Sequence, residues 1–216
     1  YNESVWITSK AIYVIGEDME NTIIDANLIN GPAVHIDAQV DDNEVTFENF
    51  TILNGGCGDC GSSQNAAFVV KYSSPNLNNL HITQSKSRGM WFEVSQARIN
   101  GLEIDNNTYN PNHWFSGGAI YANFSSIHLE NIDLHDNWGG EGGAIRTMFY
   151  TWPHQNETII IKNGRIVNNT AYYGGGAMML SDTNIKLEGL LIADNYTNNY
   201  GGGIRVDNAA HLEIVN

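Results

Sequence analysis

The chain has 216 residues with 24 acidic and 10 basic side chains, so its formal net charge is -14. Hydrophobic residues make up 42%, which is enough to form a core and excludes a charge-driven disordered chain. The negative charge argues against nucleic acid and anionic membrane surfaces as partners, because both repel it, and no apolar run approaches the roughly 20 residues of a membrane-spanning helix.

The composition predicts strands and turns rather than helices. Asn occupies 29 positions and Gly 22, whereas Pro occurs only 4 times, and such a composition is typical of turn-rich β-structure. No helical apolar period extends beyond two turns. We assign residues 1–216 to a single domain. Tyr1 opens directly into polar sequence, so we see no signal peptide and expect a mature or trimmed chain.

A short strand over Val5–Thr8 is expected to open the fold, and an eight-residue motif then recurs along the chain. Each copy has a large apolar residue at position one, Asn or Gly at position three, Ile or Leu at position six, and Asn, Gln or Asp at position eight. The copies are FENFTILN (47–54), LNNLHITQ (77–84), INGLEIDN (99–106), LENIDLHD (129–136), IKNGRIVN (161–168) and LEGLLIAD (187–194).

A glycine motif alternates with the eight-residue motif in the second half of the chain. It is GGAI at 117–120 and 142–145, GGAM at 175–178, and GGGI at 201–204. Successive copies are 25, 33 and 26 residues apart, and the longest interval contains the insertion FYTWPHQNET. Similar spacing with an occasional insertion is typical of a repeat architecture.

Together the two motifs predict a solenoid. Side chains of short strands alternate between the two faces, and Asn or Gly at position three permits a tight left-handed turn. Polar residues at position eight are expected to stack from coil to coil as an amide ladder. Apolar residues at positions four and six, such as Leu102 and Ile104, are expected to stack inside. The sequence therefore predicts an all-β, single-stranded parallel β-helix of roughly seven to nine coils.

These residues resemble a known group of proteins. The architecture is similar to the right-handed parallel β-helix of the pectin-lyase-like group, and the paired GGAI and apolar-x-Asn motifs resemble repeats of polymorphic outer-membrane proteins and related bacterial surface β-helices. The opening AIYVIGEDMENTIIDAN (11–27) is similar to the first coils of such proteins. The resemblance implies a right-handed β-helix and a secreted or cell-surface location. It does not specify one function, because the group includes lyases, hydrolases, adhesins and structural proteins.

One row of side chains in the GGA-type strands is expected to face outward. It contains Tyr121, Arg146 and Arg205, and the loops that enter these strands supply rings such as Trp114 and Trp138. Aromatic rings stack on sugar faces, and Arg pairs with uronate carboxylates. We therefore consider a glycan-binding surface made of these five residues, and the alternative that the rings only pack the loops.

Catalytic residues are harder to identify. By resemblance, a lyase would need Lys or Arg as base beside an acidic Ca²⁺ cluster, and Arg146 and Arg205 are the only weak candidates. Asp133 is interpreted as an isolated outward residue and Asp136 as a turn residue, so no group of carboxylates converges. The sequence favours a non-catalytic structural or adhesive module. The alternative is a polysaccharide lyase, and Ca²⁺ is a cofactor only under that alternative.

Cys57 and Cys60 lie in the motif GGCGDCG. A CxxC motif is redox-active, forms half of a zinc site, or closes a small disulfide loop. No second CxxC accompanies it and no βαβ pattern surrounds it. We therefore expect a disulfide between the two cysteines of a secreted protein.

Four of the seven histidines are scattered over different coil positions and share no metal-ligand spacing. They are His81, His128, His135 and His211. We interpret each as a solvated strand residue and predict no metal site.

Asn-x-Ser/Thr sequons recur in this Asn-rich chain, and several arise by chance. Asn106 and Asn168 occupy position eight of the motif, where the expected ladder would compete with a sugar. Asn156 lies in the longest insertion and is the preferred acceptor, followed by Asn123 and Asn195.

The predicted first and last coils carry no capping element. Solenoids normally cover their terminal coils, because an open coil exposes apolar stacks and unpaired strand groups. We expect either that the chain is part of a longer β-helix or that copies associate head to tail.

Overall fold

The structure is a computed structural model that describes residues 3–8, 11–38, 45–57, 65–108, 117–148, 158–208 and 210–215. It confirms the predicted all-β fold, a parallel β-solenoid, and these ranges contain strands and turns but no α-helix. The chain makes about 6 turns, slightly fewer than predicted. Within the described ranges, no helix has the length and apolar character needed to cross a membrane.

Two long parallel sheets and one short sheet form the faces of the solenoid. The eight-stranded sheet consists of β1 (Val5–Thr8), β4 (Val34–Asp37), β6 (Ala66–Lys71), β8 (Arg88–Glu93), β10 (Ile120–Asn123), β13 (Ile145–Met148), β16 (Met178–Ser181) and β19 (Ile204–Asp207). The nine-stranded sheet consists of β2 (Ile12–Ile15), β3 (Ile23–Asp25), β5 (Val45–Leu53), β7 (Asn76–Thr83), β9 (Gln96–Asp105), β11 (Ser126–His135), β14 (Thr158–Val167), β17 (Asn184–Ala193) and β20 (His211–Val215). The short sheet consists of β12 (Trp138–Glu141), β15 (Thr170–Gly174) and β18 (Tyr196–Thr197).

The eight-residue motif forms the strands of the nine-stranded sheet, and its third residue bends each strand. Asn131 has a φ of 55°. The pairing of β11 with β14 passes from Glu130↔Lys162 to Ile132↔Gly164, so Asn131 makes no ladder pair. Asn tolerates a left-handed backbone better than most residues. The left-handed backbone predicted at position three is therefore confirmed, but it bends one continuous strand instead of turning the chain between two strands.

The amide ladder predicted at position eight lies one residue further along the chain. The residues at position eight, such as Asn168 with a φ of 56°, are left-handed corner residues. At position nine, the Nδ2 atoms of Asn107, Asn137 and Asn169 each donate to the Oδ1 of the next coil's Asn at 3.0 Å, and Asn195 ends the row. The prediction for position eight was wrong, because those residues turn the corner instead of stacking.

The predicted core columns are confirmed. A column here means the same repeat position in successive strands. Position four contains Phe50, Leu80, Leu102, Ile132, Gly164 and Leu190, and position six contains Ile52, Ile82, Ile104, Leu134, Ile166 and Ile192. All of the apolar residues in these columns are buried except Leu190 and Ile192, which are partly buried against the same core.

At the glycine motif, consecutive coils leave no room for a side chain on the second glycine. Gly142 has a φ of 70°, which favours glycine. A Cβ added to Gly143 would lie 2.1 Å from the backbone oxygen of Gly176 in the next coil. A side chain at the second glycine of the motif would therefore push neighbouring coils apart.

We expect Gly143→Ala to lower the free energy of unfolding by about 2–3 kcal/mol, because the added methyl group meets rigid backbone. Gly203→Ala is the matched control. Gly203 occupies the position at which the other copies of the motif have Ala, and a Cβ there meets nothing within 4 Å. Urea unfolding of both variants measures the difference. Equal stability of the two variants would contradict the close coil contact.

The outer strands of the two long sheets are β1 and β19 in one and β2 and β20 in the other. Further strands could pair with the backbone N–H and C=O groups on the outer side of these edge strands. The head-to-tail association expected from the sequence stays a prediction.

Candidate functional site

The predicted outward row of the eight-stranded sheet exists, but its middle is not an open surface. The register aligns Tyr121 with Arg146, Arg146 with Met179, and Met179 with Arg205. Tyr121 is 7% exposed and Arg146 is 3% exposed. These two residues therefore do not present the accessible sugar-binding surface that alternation alone suggested.

Arg146 is held by neighbouring polar groups. Its Nε donates to Oε2 of Glu141 at 3.0 Å, and one terminal nitrogen donates to Oγ of Ser181 at 3.0 Å. The same nitrogen also contacts the carbonyl oxygen of Thr147. A buried guanidinium in an ion pair is an effective structural link but a poor base or uronate ligand.

A second buried cluster lies outside the solenoid core, around Tyr121 and Trp91. The two rings meet edge to face at 5.7 Å. The guanidinium of Arg88, fully buried, lies 5.2 Å from the centroid of Trp91 and 4.9 Å from that of Tyr121. Burial lowers the pKa of Arg88 to about 10, so it stays protonated at neutral pH. No motif in the sequence pointed to this arginine, whose side chain packs against the two aromatic rings.

Four exposed aromatic residues lie elsewhere, around the short sheet. Trp138 and Tyr196 lie on either side of Thr170 at the same register position. Tyr172 lies two residues after Thr170, where the pairing of β15 with β12 is irregular, and its ring contacts that of Tyr173 at 4.6 Å. Tyr200 follows β18 and bridges to Gly174. We call Trp138, Tyr172, Tyr196 and Tyr200, all exposed, the aromatic strip.

Arg205 borders the aromatic strip but its charge is compensated. Its guanidinium lies 5.5 Å from the ring centroid of Tyr200. Its Nε and a terminal nitrogen pair with the carboxylate of Asp207 at 3.0 and 2.8 Å. Of the five predicted ligand-binding residues, Trp138 belongs to the aromatic strip and the half-buried Arg205 contacts the strip at Tyr200, whereas Trp114 lies outside the described residues.

A polar cluster on the nine-stranded sheet was missed by the sequence interpretation. The register aligns His81 with Glu103 and Glu103 with Asp133, while Asp105 aligns with His135. His81 Nε2 lies 2.7 Å from Asp105 Oδ1, and His135 Nε2 lies 3.4 Å from Glu103 Oε1. Asp133 is therefore not isolated, and these two histidines are not simply solvated strand residues.

The environment of this polar cluster shifts two pKa values. Burial lowers the pKa of His135, but hydrogen bonds with the carboxylates of Asp136 and Glu103 outweigh it, so the pKa lies above its ordinary value. Burial raises the pKa of Asp105, but hydrogen bonds with His81 and other neighbours lower it below the ordinary value. Both shifts favour the charged forms, as expected for interacting opposite charges.

The structure describes the surroundings of Asn195, Asn123 and Asn168, and their use as glycan acceptors stays a prediction. The Nδ2 of Asn195 donates to the carbonyl oxygens of Ile166 and Ala193, both at 2.8 Å, so a sugar on that nitrogen would break the end of the ladder. Asn123 is half-buried in β10, whereas Asn168 is exposed. The preferred acceptor, Asn156, lies outside the described residues.

Cys57 is buried next to the start of a range that is not described. Its expected partner, Cys60, lies outside the described residues. The disulfide stays a prediction.

Comparison of the chain with protein-family models, curated proteins and solved structures finds no match.

Proposed function

We propose that this protein is an extracellular or cell-surface β-solenoid without catalytic activity, related to bacterial surface β-helices, that binds a neutral glycan through the aromatic strip. The observation that carries the proposal is the exposure of four rings on neighbouring coils of the short sheet. Parallel strands lie roughly 4.8 Å apart, so these rings form an extended surface along the solenoid, as is common for solenoid ligands.

The chemistry of the strip suits sugars. Tyr and Trp offer flat apolar faces together with a polar group at the edge, which matches the alternating C–H and hydroxyl surfaces of a pyranose. The hydroxyl of Tyr196 donates to Oδ1 of Asn198 at 2.7 Å, and Nδ2 of Asn199 donates to the carbonyl oxygen of Tyr172 at 2.8 Å. These bonds hold the loop before Tyr200 against the neighbouring strand.

The charges favour a neutral glycan over a uronate polymer. The chain carries a net charge of -14, which repels polyanions. Arg205, the cation that contacts Tyr200, is already paired with Asp207. Arg146, the other arginine considered for uronate, is buried against Glu141. The same two ion pairs support a non-catalytic role, because a lyase of the alternative class needs a free base.

Binding of immobilised neutral and acidic glycans to the purified chain tests this proposal. We expect Tyr200→Ala to weaken binding of a neutral glycan by about tenfold, which corresponds to the loss of one stacking contact of about 1.4 kcal/mol. Tyr13→Ala is the control, because Tyr13 and Tyr200 are both 71% exposed but only Tyr200 belongs to the strip.

Two results would contradict the proposal. One is equal loss of binding in the two tyrosine variants, and the other is binding of uronate polymers alone. Incubation with uronate polymers, with and without Ca²⁺, is the companion assay. Unsaturated products there would favour the polysaccharide lyase alternative.

A further inference from the structure

The polar cluster on the nine-stranded sheet contains a set of metal-ligating side chains. Glu103, Asp133 and His135 each offer one ligand atom, and these atoms all lie within 4.8 Å of one another. We propose that these three side chains bind a divalent transition-metal ion of the Zn²⁺ type. The site lies on a different sheet from the aromatic strip, so it is independent of the glycan proposal.

The solenoid places these ligands by register. Glu103 in β9 pairs with Asp133 in β11, and His135 lies two residues after Asp133. Residues i and i+2 of a strand share a face, so the three side chains project from the same outer surface. Imidazole and carboxylate are the ligands that Zn²⁺ accepts alongside thiolate, and three protein ligands leave the fourth position for water.

The imidazole of His135 is oriented for metal binding. Its Nδ1 lies 2.7 Å from Oδ2 of Asp136, and this contact directs Nε2 toward Glu103. Metal-ligating histidines usually have such a carboxylate on the other ring nitrogen. The separation of 3.4 Å between Nε2 and Oε1 of Glu103 is long for a hydrogen bond. It matches the ligand-to-ligand edge of about 3.4 Å in a tetrahedron with bonds of about 2.1 Å.

Arg165 is the cation that competes for this position. Its Nε lies 2.8 Å from both carboxylate oxygens of Asp133, and a terminal nitrogen lies 2.7 Å from Oδ2. The side chain of Arg165 is 52% exposed, so it can move into solvent when an ion arrives. The carboxylates of Asp105 and Asp136 remain nearby and keep the local charge negative. A divalent ion that displaces Arg165 therefore brings two positive charges to this acidic environment in place of one.

Calorimetric titration of the full chain with Zn²⁺, after treatment with a chelator, tests this assignment. We expect one site in the unmodified chain and loss of it in Glu103→Gln and in His135→Asn. Asp136→Asn should lower the affinity by about 10–100-fold, as for other carboxylates that orient a ligating histidine. Arg165→Gln should tighten binding, because it removes the competing cation.

His211→Asn is the matched control, because His211 is an exposed histidine in β20 away from the cluster. The Zn²⁺ affinity of this variant should equal that of the unmodified chain. Far-ultraviolet circular dichroism checks that each variant is folded. The absorption spectrum of the Co²⁺ form identifies the ligands. A thiolate charge-transfer band would place the ion at the cysteines and overturn the assignment. So would unchanged affinity in Glu103→Gln and His135→Asn, or the absence of Zn²⁺ binding.

Discussion

Asn169→Ala is expected to lower the free energy of unfolding by about 3–5 kcal/mol, which is large for one substitution. The side chain is fully buried. Its Nδ2 donates to the carbonyl oxygens of Leu134 and Val167 at 2.9 and 3.0 Å, and to Oδ1 of Asn195 at 3.0 Å. Its Oδ1 accepts from the backbone N–H and the Nδ2 of Asn137. Alanine would leave these buried groups without partners.

The adjacent residue supplies the control for this prediction. Asn168 is exposed and has a φ of 56°, so Asn168→Gly keeps a residue that tolerates the left-handed backbone. We expect a change in stability of less than about 1 kcal/mol. Urea unfolding followed by circular dichroism measures both variants. A larger loss of unfolding free energy in Asn168→Gly than in Asn169→Ala would indicate that the ladder lies at position eight after all.

The fold could be predicted because a solenoid converts sequence period directly into spatial register. Residues at the same position of successive repeats become neighbours at one strand spacing. Ile82, Ile104 and Leu134 are separated by unequal numbers of residues, yet they stack on one another. The apolar columns and the bend at position three therefore needed no three-dimensional information beyond the alignment of the repeats.

The ladder was misplaced by one residue because two roles favour the same residue types. A left-handed corner and a stacked amide both select Asn, and pairs such as Asn168–Asn169 satisfy both. Extending the motif by one residue gives Asn107, Asn137, Asn169 and Asn195 at position nine. A row of four identical amides is a stronger ladder signal than the mixture of Asn, Gln and Asp at position eight.

The polar cluster was missed because its residues were compared by linear spacing. In a solenoid, the informative comparison is between residues at the same repeat position in successive strands. Position five contains His81, Glu103, Asp133 and Arg165 in four consecutive copies of the motif, and the register makes them neighbours. The alignment therefore contained the signal, although not the orientation of His135 or its contact with Asp136.

The burial of Tyr121 and Arg146 could not be obtained from the pattern. Strand alternation specifies which side of the sheet a side chain occupies. It does not specify what packs on that side. An outward position in a solenoid with insertions therefore predicts a direction and not an exposure, as the contrast between Arg146 and Arg205 demonstrates.

The second prediction of a large loss of stability concerns a substitution in the solenoid core. Ile104→Ala should lower the free energy of unfolding by about 2–5 kcal/mol, because it removes buried methyl groups and leaves a cavity. Ile104 is fully buried between Ile82 and Leu134 in the column at position six. Backbone hydrogen bonds of the parallel sheet on both sides restrict collapse of the neighbouring coils into the cavity, so we expect a loss in the upper part of this range.

Two variants calibrate this measurement. Ile104→Val removes one methylene group and should cost about 1 kcal/mol. Leu191→Ala truncates a side chain that is 58% exposed at position five of the last copy of the motif, and should change stability by less than about 0.5 kcal/mol. Urea midpoints and slopes for the three variants, with unchanged slopes, separate core packing from changes in the unfolded state. Equal losses in Ile104→Ala and Leu191→Ala would mean that the column is not the solenoid's core.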